Sequence, residues 1–115
     1  MDILISVATC NRNNSLLELI DSFERMSCIP DIRFSVCIVD NSFDGFAVSV
    51  YQDILDRYSF TIKYVHCKTK GIPFARNCAL KYAIDNKYDA IAFVDDDEVV
   101  SPCWLHEHCS HYKKF

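Results

Sequence analysis

The sequence predicts an α/β fold, in which a mainly parallel sheet lies between two layers of helices as a three-layer αβα sandwich. Four short apolar runs alternate with segments of helix length. The first run, Ile3 to Ala8, is apolar on both faces, which is typical of a strand buried in a parallel sheet. Strands and helices that alternate at this spacing favour right-handed βαβ units with helices on both faces.

The predicted strands each stop where polar residues begin. Ligands of parallel sheets bind beyond the carboxyl ends of the strands, near the point where the strand order reverses. Function is therefore expected at that edge. The strands are predicted over residues 3–8, 34–39, 60–66 and 90–94.

Helix signals occupy the segments between the strands. Ser15 and Glu18 have the spacing of a capping box, and apolar residues recur behind them at helical intervals. Pro73 suits the first turn of a later helix. The helices are predicted over residues 15–27, 47–58 and 73 to about 87, with a short last helix that opens near residue 102.

Length and composition indicate one ordered domain over residues 1–115. Half of the residues are hydrophobic and 13% are aromatic, which is enough apolar material for a core and argues against disorder. The net charge of −4 argues against nucleic acids and anionic membranes as general partners, because both repel an acidic surface.

The seven cysteines are an odd number, and no segment has the features of a secretory signal. We therefore expect reduced, mostly buried cysteines in a cytoplasmic protein, and not a disulfide framework. No apolar stretch approaches the ~20 residues that span a bilayer. A longer parent protein would still have room for a membrane segment.

Polar and charged residues gather where the four predicted strands stop. If the sheet is parallel, these positions converge on one edge and line a crevice. The candidate binding residues are Thr9, Asn11, Arg12, Asp40, Arg76, Asp95, Asp96 and Asp97.

Asp95, Asp96 and Asp97 follow the fourth strand directly. Three adjacent carboxylates repel one another unless solvent or a cation lies between them. Mg²⁺ or Mn²⁺ takes carboxylate oxygens, keeps positions open for phosphate oxygens, and neutralises the charge on a leaving diphosphate. The pattern favours a metal site, and the alternative is a solvated acidic turn.

Asp40 and Arg76 each have a functional and a structural interpretation. Asp40 stands where a carboxylate accepts hydrogen bonds from a base or a ribose, or where it caps the turn that follows. Arg76 lies in a first helical turn, which the helix dipole disfavours for a cation. A bound phosphate would offset this unfavourable interaction with the helix dipole. The alternative is a surface arginine paired with a carboxylate.

Four segments in this order resemble the family 2 type of glycosyltransferases, which have the GT-A nucleotide-sugar fold. Each segment is weak alone, but together they span nearly the whole chain and are specific. The resemblance implies a domain that binds a nucleotide-diphosphate sugar, such as a UDP-sugar, with Mg²⁺ or Mn²⁺ at an Asp-x-Asp-type motif. The segments are residues 5–12, 39–42, 71–77 and 93–97, with Pro102, Trp104 and Leu105 behind them.

The resemblance also implies roles for single residues in donor binding. Thr9 and Arg12 would line the base pocket, with Asn11 among the donor-binding residues. Asp40 would bind uracil or ribose, and Arg76 would meet the base or the diphosphate.

The same resemblance divides the aspartates between donor and metal. Asp95 and Asp96 would face the ribose and the donor sugar. Asp97 would be the direct metal ligand, because it stands the usual few residues before Pro102, and Asp95 is the second candidate ligand.

The acceptor-binding half of such enzymes, and the catalytic carboxylate of inverting members, would follow the segment seen here. Glu107 is too close to the aspartates in sequence to serve as that base, so the catalytic residue is unassigned. The acceptor, whether a glycan, a lipid or a protein, is undetermined. The alternative function is a non-catalytic nucleotide-binding or interaction module, and an exposed apolar sheet edge would favour self-association.

Other chemistries have weaker support in the sequence. Cys103, His106 and Cys109 are three residues apart and offer zinc ligands on one helix face, without a second paired motif. No Cys-x-x-Cys pair supports thiol chemistry, and Asp97 as a phosphate-accepting aspartate lacks an acidic partner near the first strand end. The glycine loops have no GxxxxGK[ST] pattern, which excludes a P-loop.

Overall fold

The structure is a computed structural model and describes residues 1–27 and 29–109. Strands and helices alternate along this part of the chain, as the sequence predicts. The strands are β1 (Asp2–Thr9), β2 (Arg33–Asp40), β3 (Thr61–His66) and β4 (Ala90–Asp95). The helices are α1 (Asn13–Glu24), α2 (Val48–Ile54), α3 (Ile72–Asp85) and α4 (Trp104–Cys109).

The four strands form one parallel sheet in the order β3-β2-β1-β4. The parallel α/β fold is therefore confirmed. Thr9 at the end of β1 pairs with Asp40 at the end of β2, and Ala8 pairs with Asp95 of β4. Asp40 also pairs with His66 of β3, so all four strands end at one edge. The strand order reverses between β1 and β4, which is where a ligand crevice is expected.

Alternate side chains of β1 enter two separate cores, one on each face of the sheet. Ile3, Ile5 and Val7 belong to the core that contains the buried apolar residues of α1 and α2. Leu4 belongs to the other core, which α3 covers with three small side chains, Ala75, Ala79 and Ala83. Because the sheet has helices on both faces, the predicted three-layer arrangement is confirmed.

The start of α1 differs from the predicted capping box. The helix begins at Asn13, so Ser15 lies inside its first turn, and no side chain caps it. Asn11 adopts a φ of 56°, and the Leu16 amide donates to the Arg12 carbonyl at 3.0 Å. The turn after β1 therefore starts the helix two residues early, before Ser15 can act as a cap.

The ends of the helices were predicted less accurately than their central residues. α1 ends at Glu24, α2 ends at Ile54, and α4 begins at Trp104, each inside the predicted bounds. Within the described residues, no helix combines the length and apolar character that a membrane crossing requires, and α3, at 14 residues, falls short of it.

The described cysteines are free thiols, and the environment of two of them suppresses ionisation. Burial, together with the neighbouring Cys78, raises the pKa of Cys37 to about 12. Burial, with a contribution from Cys78, also raises the pKa of Cys67 to about 11. Thiolates are the reactive form of cysteine, so these side chains act as small apolar groups of the core.

The aromatic cluster beneath α1 offers a test of the packing. Phe23 is 1% exposed, and its ring meets Phe60 edge-on at a centroid distance of 6.3 Å. We expect Phe23→Ala to lower the free energy of unfolding by about 3–5 kcal/mol, because it leaves a cavity in the core. Phe43→Ala is the matched control, since Phe43 is 89% exposed. Urea denaturation of both variants checks this, and similar losses would contradict the packing described.

Candidate functional site

A crevice of about 410 Å³ opens at the carboxyl edge of the sheet, beside the ends of the paired strands β1 and β4. Six of the eight predicted binding residues line it, which brings together side chains from the whole length of the chain. The six are Thr9, Arg12, Arg76, Asp95, Asp96 and Asp97. Asn11 and Asp40 are not among its lining residues.

Asp96 is the anchored member of the aspartate run. It is 7% exposed, and its carboxylate accepts a hydrogen bond from Thr9 Oγ1 at 3.0 Å. Arg12 Nη1 donates to its other oxygen at 3.3 Å. One contact from the end of β1 and one from the turn after it therefore fix the orientation of this carboxylate at the crevice.

Asp95 and Asp97 flank the anchored carboxylate and are exposed. Arg12 Nη1 lies 3.8 Å from Asp97 Oδ2, so one guanidinium offsets part of the repulsion between two adjacent carboxylates. The Asp95 amide donates to Glu98 Oε1 at 3.3 Å, and the Glu98 amide donates back to the Asp95 carbonyl. This turn leaves the carboxylates of Asp95 and Asp97 accessible to a ligand.

Three carboxylates, Asp95, Asp96 and Asp97, form the anionic wall of the crevice. Arg76, near the start of α3, forms its cationic wall. Its guanidinium carbon lies 5.2 Å from the centroid of the Phe93 ring, within the range of a cation–π contact. The observed partner of this guanidinium is thus an aromatic ring, and the planar group remains exposed at the crevice. A guanidinium in this setting suits the oxygens of a phosphate.

Asp40 has a different environment from the one predicted. Its carboxylate is fully buried and accepts four hydrogen bonds, from the Ser42 amide and hydroxyl, the Ala47 amide and the Tyr64 hydroxyl. Burial raises the pKa of Asp40, but the hydrogen bonds from Ser42, Tyr64 and Ala47 outweigh it and hold the pKa below its usual range. The contacts show a carboxylate that closes the loop after β2, and its contact with a donor stays a prediction.

Asn11 lies in the turn between β1 and α1 and is exposed. Its φ of 56° is a conformation that asparagine tolerates better than most residues. The structure therefore gives Asn11 a role in the turn that carries Arg12, while its donor contact stays a prediction.

Asn41 lines the crevice but is absent from the predicted binding residues. Its side-chain amide donates to the carbonyls of Cys67 and Thr69 and accepts from the Gly71 amide. These partners lie 26 to 30 residues away, so no local pattern indicates them. The only signal in the sequence is its place directly after Asp40 at a strand end.

The exposed carboxylates fit a metal that arrives with a ligand better than a preformed metal cage. Among the side chains that the structure describes, those of residues 1–27 and 29–107, no three His, Cys, Asp or Glu groups are placed to hold an ion. Mg²⁺ is usually held by one or two carboxylates together with phosphate oxygens and water. Asp97 and Asp95 supply that number of carboxylates beside Arg76, which suits phosphate.

The proposed zinc ligands at the carboxyl end of the chain fall partly outside the described residues. Cys103 and His106 are exposed. The side chain of Cys109 is not described. The zinc alternative therefore stays a prediction.

A second crevice, of about 620 Å³, lies at the opposite edge of the sheet. Aromatic and aliphatic side chains make up much of its lining, including Phe23, Phe34 and Phe60. The Arg33 guanidinium on its rim donates to the Asp2 carboxylate at 3.1 Å. The larger crevice has four charged lining residues, of both signs, whereas the smaller one has two arginines and three adjacent carboxylates that a cation would join.

A family model matches nearly the whole chain, and a curated protein is similar over most of it. The model of glycosyl transferase family 2 matches residues 4–114. The succinoglycan biosynthesis protein ExoM of Rhizobium meliloti (strain 1021) is 36% identical over 103 residues, which are 88% of this chain and 32% of ExoM.

Solved structures share the fold. S. aureus TarS 1-349 in complex with UDP-GlcNAc has a TM-score of 0.74 at 21% identity, over 96% of this chain and 30% of that one. The mannosyltransferase PcManGT from Pyrobaculum calidifontis, in complex with GDP-Man and Mn²⁺, has a TM-score of 0.71 at 22% identity, over 90% and 32%. The chain spans about a third of the length of each relative.

The buried carboxylate of Asp40 predicts a pH-dependent contribution to stability. We expect Asp40→Asn to lose roughly 3 kcal/mol of unfolding free energy at pH 7, because an amide cannot accept all four hydrogen bonds. A depressed folded-state pKa gives stability that is present above the unfolded-state pKa, about 3.9, and is lost as the pH falls through the folded-state pKa. The loss of unfolding free energy caused by Asp40→Asn should therefore be smaller in acid than at pH 7.

Urea denaturation at pH 7 and pH 3 measures this deficit. Asp44→Asn is the control, because Asp44 is exposed in the same loop, and its effect should stay within about 0.5 kcal/mol. Equal effects of the two substitutions would contradict the structural role of Asp40.

Proposed function

The chain belongs to glycosyl transferase family 2, and from that premise we propose that it binds a nucleoside-diphosphate sugar in the crevice at the carboxyl ends of β1 and β4. The observation that carries the proposal is the aspartate run at the end of β4. One of its carboxylates is anchored by Thr9 and Arg12, and the two beside it are exposed in the crevice that Arg76 also lines. A crevice with both signs of charge suits a diphosphate that binds together with a cation.

Asp97 is the proposed direct ligand of Mg²⁺ or Mn²⁺, with Asp95 as the second. When bound, such an ion supplies positive charge that stabilises a leaving diphosphate. The chain's own contribution is orientation, since the neighbouring Asp96 is held by Thr9 at 3.0 Å. The backbone on which Asp95 and Asp97 stand is thereby fixed before a ligand arrives.

Arg76 is proposed to bind the diphosphate, because its planar guanidinium matches phosphate oxygens and is available at the crevice. Thr9 and Arg12 are proposed to contact the donor from the side of the base, with Asn11 in the same turn. Asp40 is proposed to act on the donor through the shape of the loop after β2, because its four hydrogen bonds already use both carboxylate oxygens.

The relatives support a donor of this class. The TarS structure contains UDP-GlcNAc and the PcManGT structure contains GDP-Man with Mn²⁺. Because the chain spans about a third of each relative, the transfer of a sugar to a glycan, lipid or protein acceptor is a proposal for the whole protein. The identity of the base, uracil or guanine, is settled by titration with UDP and GDP in parallel.

Asp97→Ala tests the metal assignment. We expect UDP or GDP to bind more tightly in the presence of Mn²⁺, and we expect this enhancement to fall at least tenfold in the variant, in the range typical for changes at a metal site. Isothermal titration calorimetry with and without Mn²⁺ measures it. Asp53→Ala is the control, because Asp53 is an exposed carboxylate on α2.

An unchanged Mn²⁺ dependence in Asp97→Ala would refute the assignment of Asp97. If neither nucleotide binds to the unaltered chain, the donor-binding proposal itself fails. Release of free sugar from UDP-GlcNAc or GDP-Man, measured on the same protein, separates the two functions: Mn²⁺-dependent release indicates an enzyme, and binding without release indicates a binding module.

A further inference from the structure

We propose that Asn41 is a positioning residue for the donor site, which holds the loop between β3 and α3 and thereby sets the place of Arg76. The inference rests on the proposed donor binding and deepens it. Asn41 follows β2 directly and is 8% exposed. Its amide is a buried polar group, and burying one is unfavourable unless its hydrogen bonds are made.

All three side-chain hydrogen bonds of Asn41 go to one loop. Its Nδ2 donates to the Cys67 carbonyl at 2.9 Å and to the Thr69 carbonyl at 3.0 Å. Its Oδ1 accepts from the Gly71 amide at 2.9 Å. Two carbonyls face the nitrogen and one N–H faces the oxygen, so the orientation of the amide is determined by its partners.

The three side-chain hydrogen bonds of Asn41 are called the Asn41 clamp below. Gly71 connects this clamp to α3. Its carbonyl accepts the first hydrogen bond of the helix from the Ala75 amide at 3.1 Å. Arg76 directly follows Ala75 in this helix. Gly71 has a φ of 134°, which side-chain-bearing residues rarely adopt, and a Cβ there would meet the Phe74 ring at 3.3 Å. The chain therefore enters the helix through a constrained residue whose amide is held by Asn41.

The backbone of Asn41 is tied to the other wall of the crevice. Its amide donates to the Thr9 carbonyl at 2.8 Å, and the Thr9 hydroxyl holds Asp96 at 3.0 Å. A continuous set of contacts thus runs from Asp96 through Thr9 and Asn41 to Gly71. A residue that only filled space in the core would not connect the anionic wall with the cationic wall of the crevice.

Two variants separate positioning from simple stability. Asn41→Asp keeps the acceptor for the Gly71 amide but puts an oxygen against the carbonyls of Cys67 and Thr69. Asn41→Ser replaces the amide by a small polar side chain and thereby removes all three contacts. Asn86→Ala is the matched control, because Asn86 is exposed and its side chain donates to a single backbone carbonyl, that of Tyr82.

Nucleotide affinity is measured by calorimetry with UDP or GDP and Mn²⁺, at a temperature at which circular dichroism shows every variant folded. We expect a loss of roughly tenfold or more for both Asn41 variants and no loss for the control, by analogy with residues that orient metal ligands. Asn41→Ser combined with Arg76→Ala should bind no more weakly than Arg76→Ala alone, because the first residue acts through the second.

Failure of this inference is distinguishable from failure of the proposed function. If the unaltered chain binds nucleotide, equal affinity in the Asn41 variants or additive losses in the double variant would overturn the positioning role. Hydrogen exchange on the ligand-free chain provides a second test. We expect the Gly71 amide to be protected from exchange in the unaltered chain. In Asn41→Ser it should exchange at nearly the rate of an exposed amide. An unprotected Gly71 amide in the unaltered chain would also overturn the inference, whatever the outcome of the titration.

Discussion

The site depends on the in-register parallel pairing of β1 with the strands on either side. Thr9 pairs with Asp40, and Ala8 pairs with Asp95, so the polar residues after three strands meet at one level. Buried apolar side chains on both faces of β1 hold this register. A slip of one residue would move Ile5 and Leu4 to the opposite faces, which the two cores do not accommodate.

Given this register, the charges at the edge divide into two groups. Asp96 and Asp40 are buried and have protein partners that satisfy them. Asp95 and Asp97 are exposed, and Arg76 lines the same crevice with an aromatic ring as its described contact. Burying a carboxylate without such partners is unfavourable. Asp96 and Asp40 therefore maintain the shape of the edge, while Asp95, Asp97 and Arg76 are available to a ligand.

The sequence predicted the parts of this arrangement that depend on local patterns. Strand positions followed from apolar runs, and six of the eight candidate residues line the crevice because parallel strands end together. The capping box at Ser15 was wrong because the turn at Asn11 starts α1 earlier. The four hydrogen bonds of Asp40 and the clamp of Asn41 could not be predicted, since Tyr64 and Gly71 approach them only through the tertiary fold.

The position of Arg76 shows why the buried contacts matter for function. Arg76 is the fifth residue of α3, beyond the first turn within which the helix dipole acts most strongly, so its own helix does little to hold the guanidinium. Its contact with Phe93 keeps the planar group at the crevice. The start of α3 is fixed in turn by Gly71 and Asn41. The cationic wall is therefore held by neutral amides and an aromatic ring, and since no carboxylate neutralises it among its described contacts, its charge remains available to an anionic ligand.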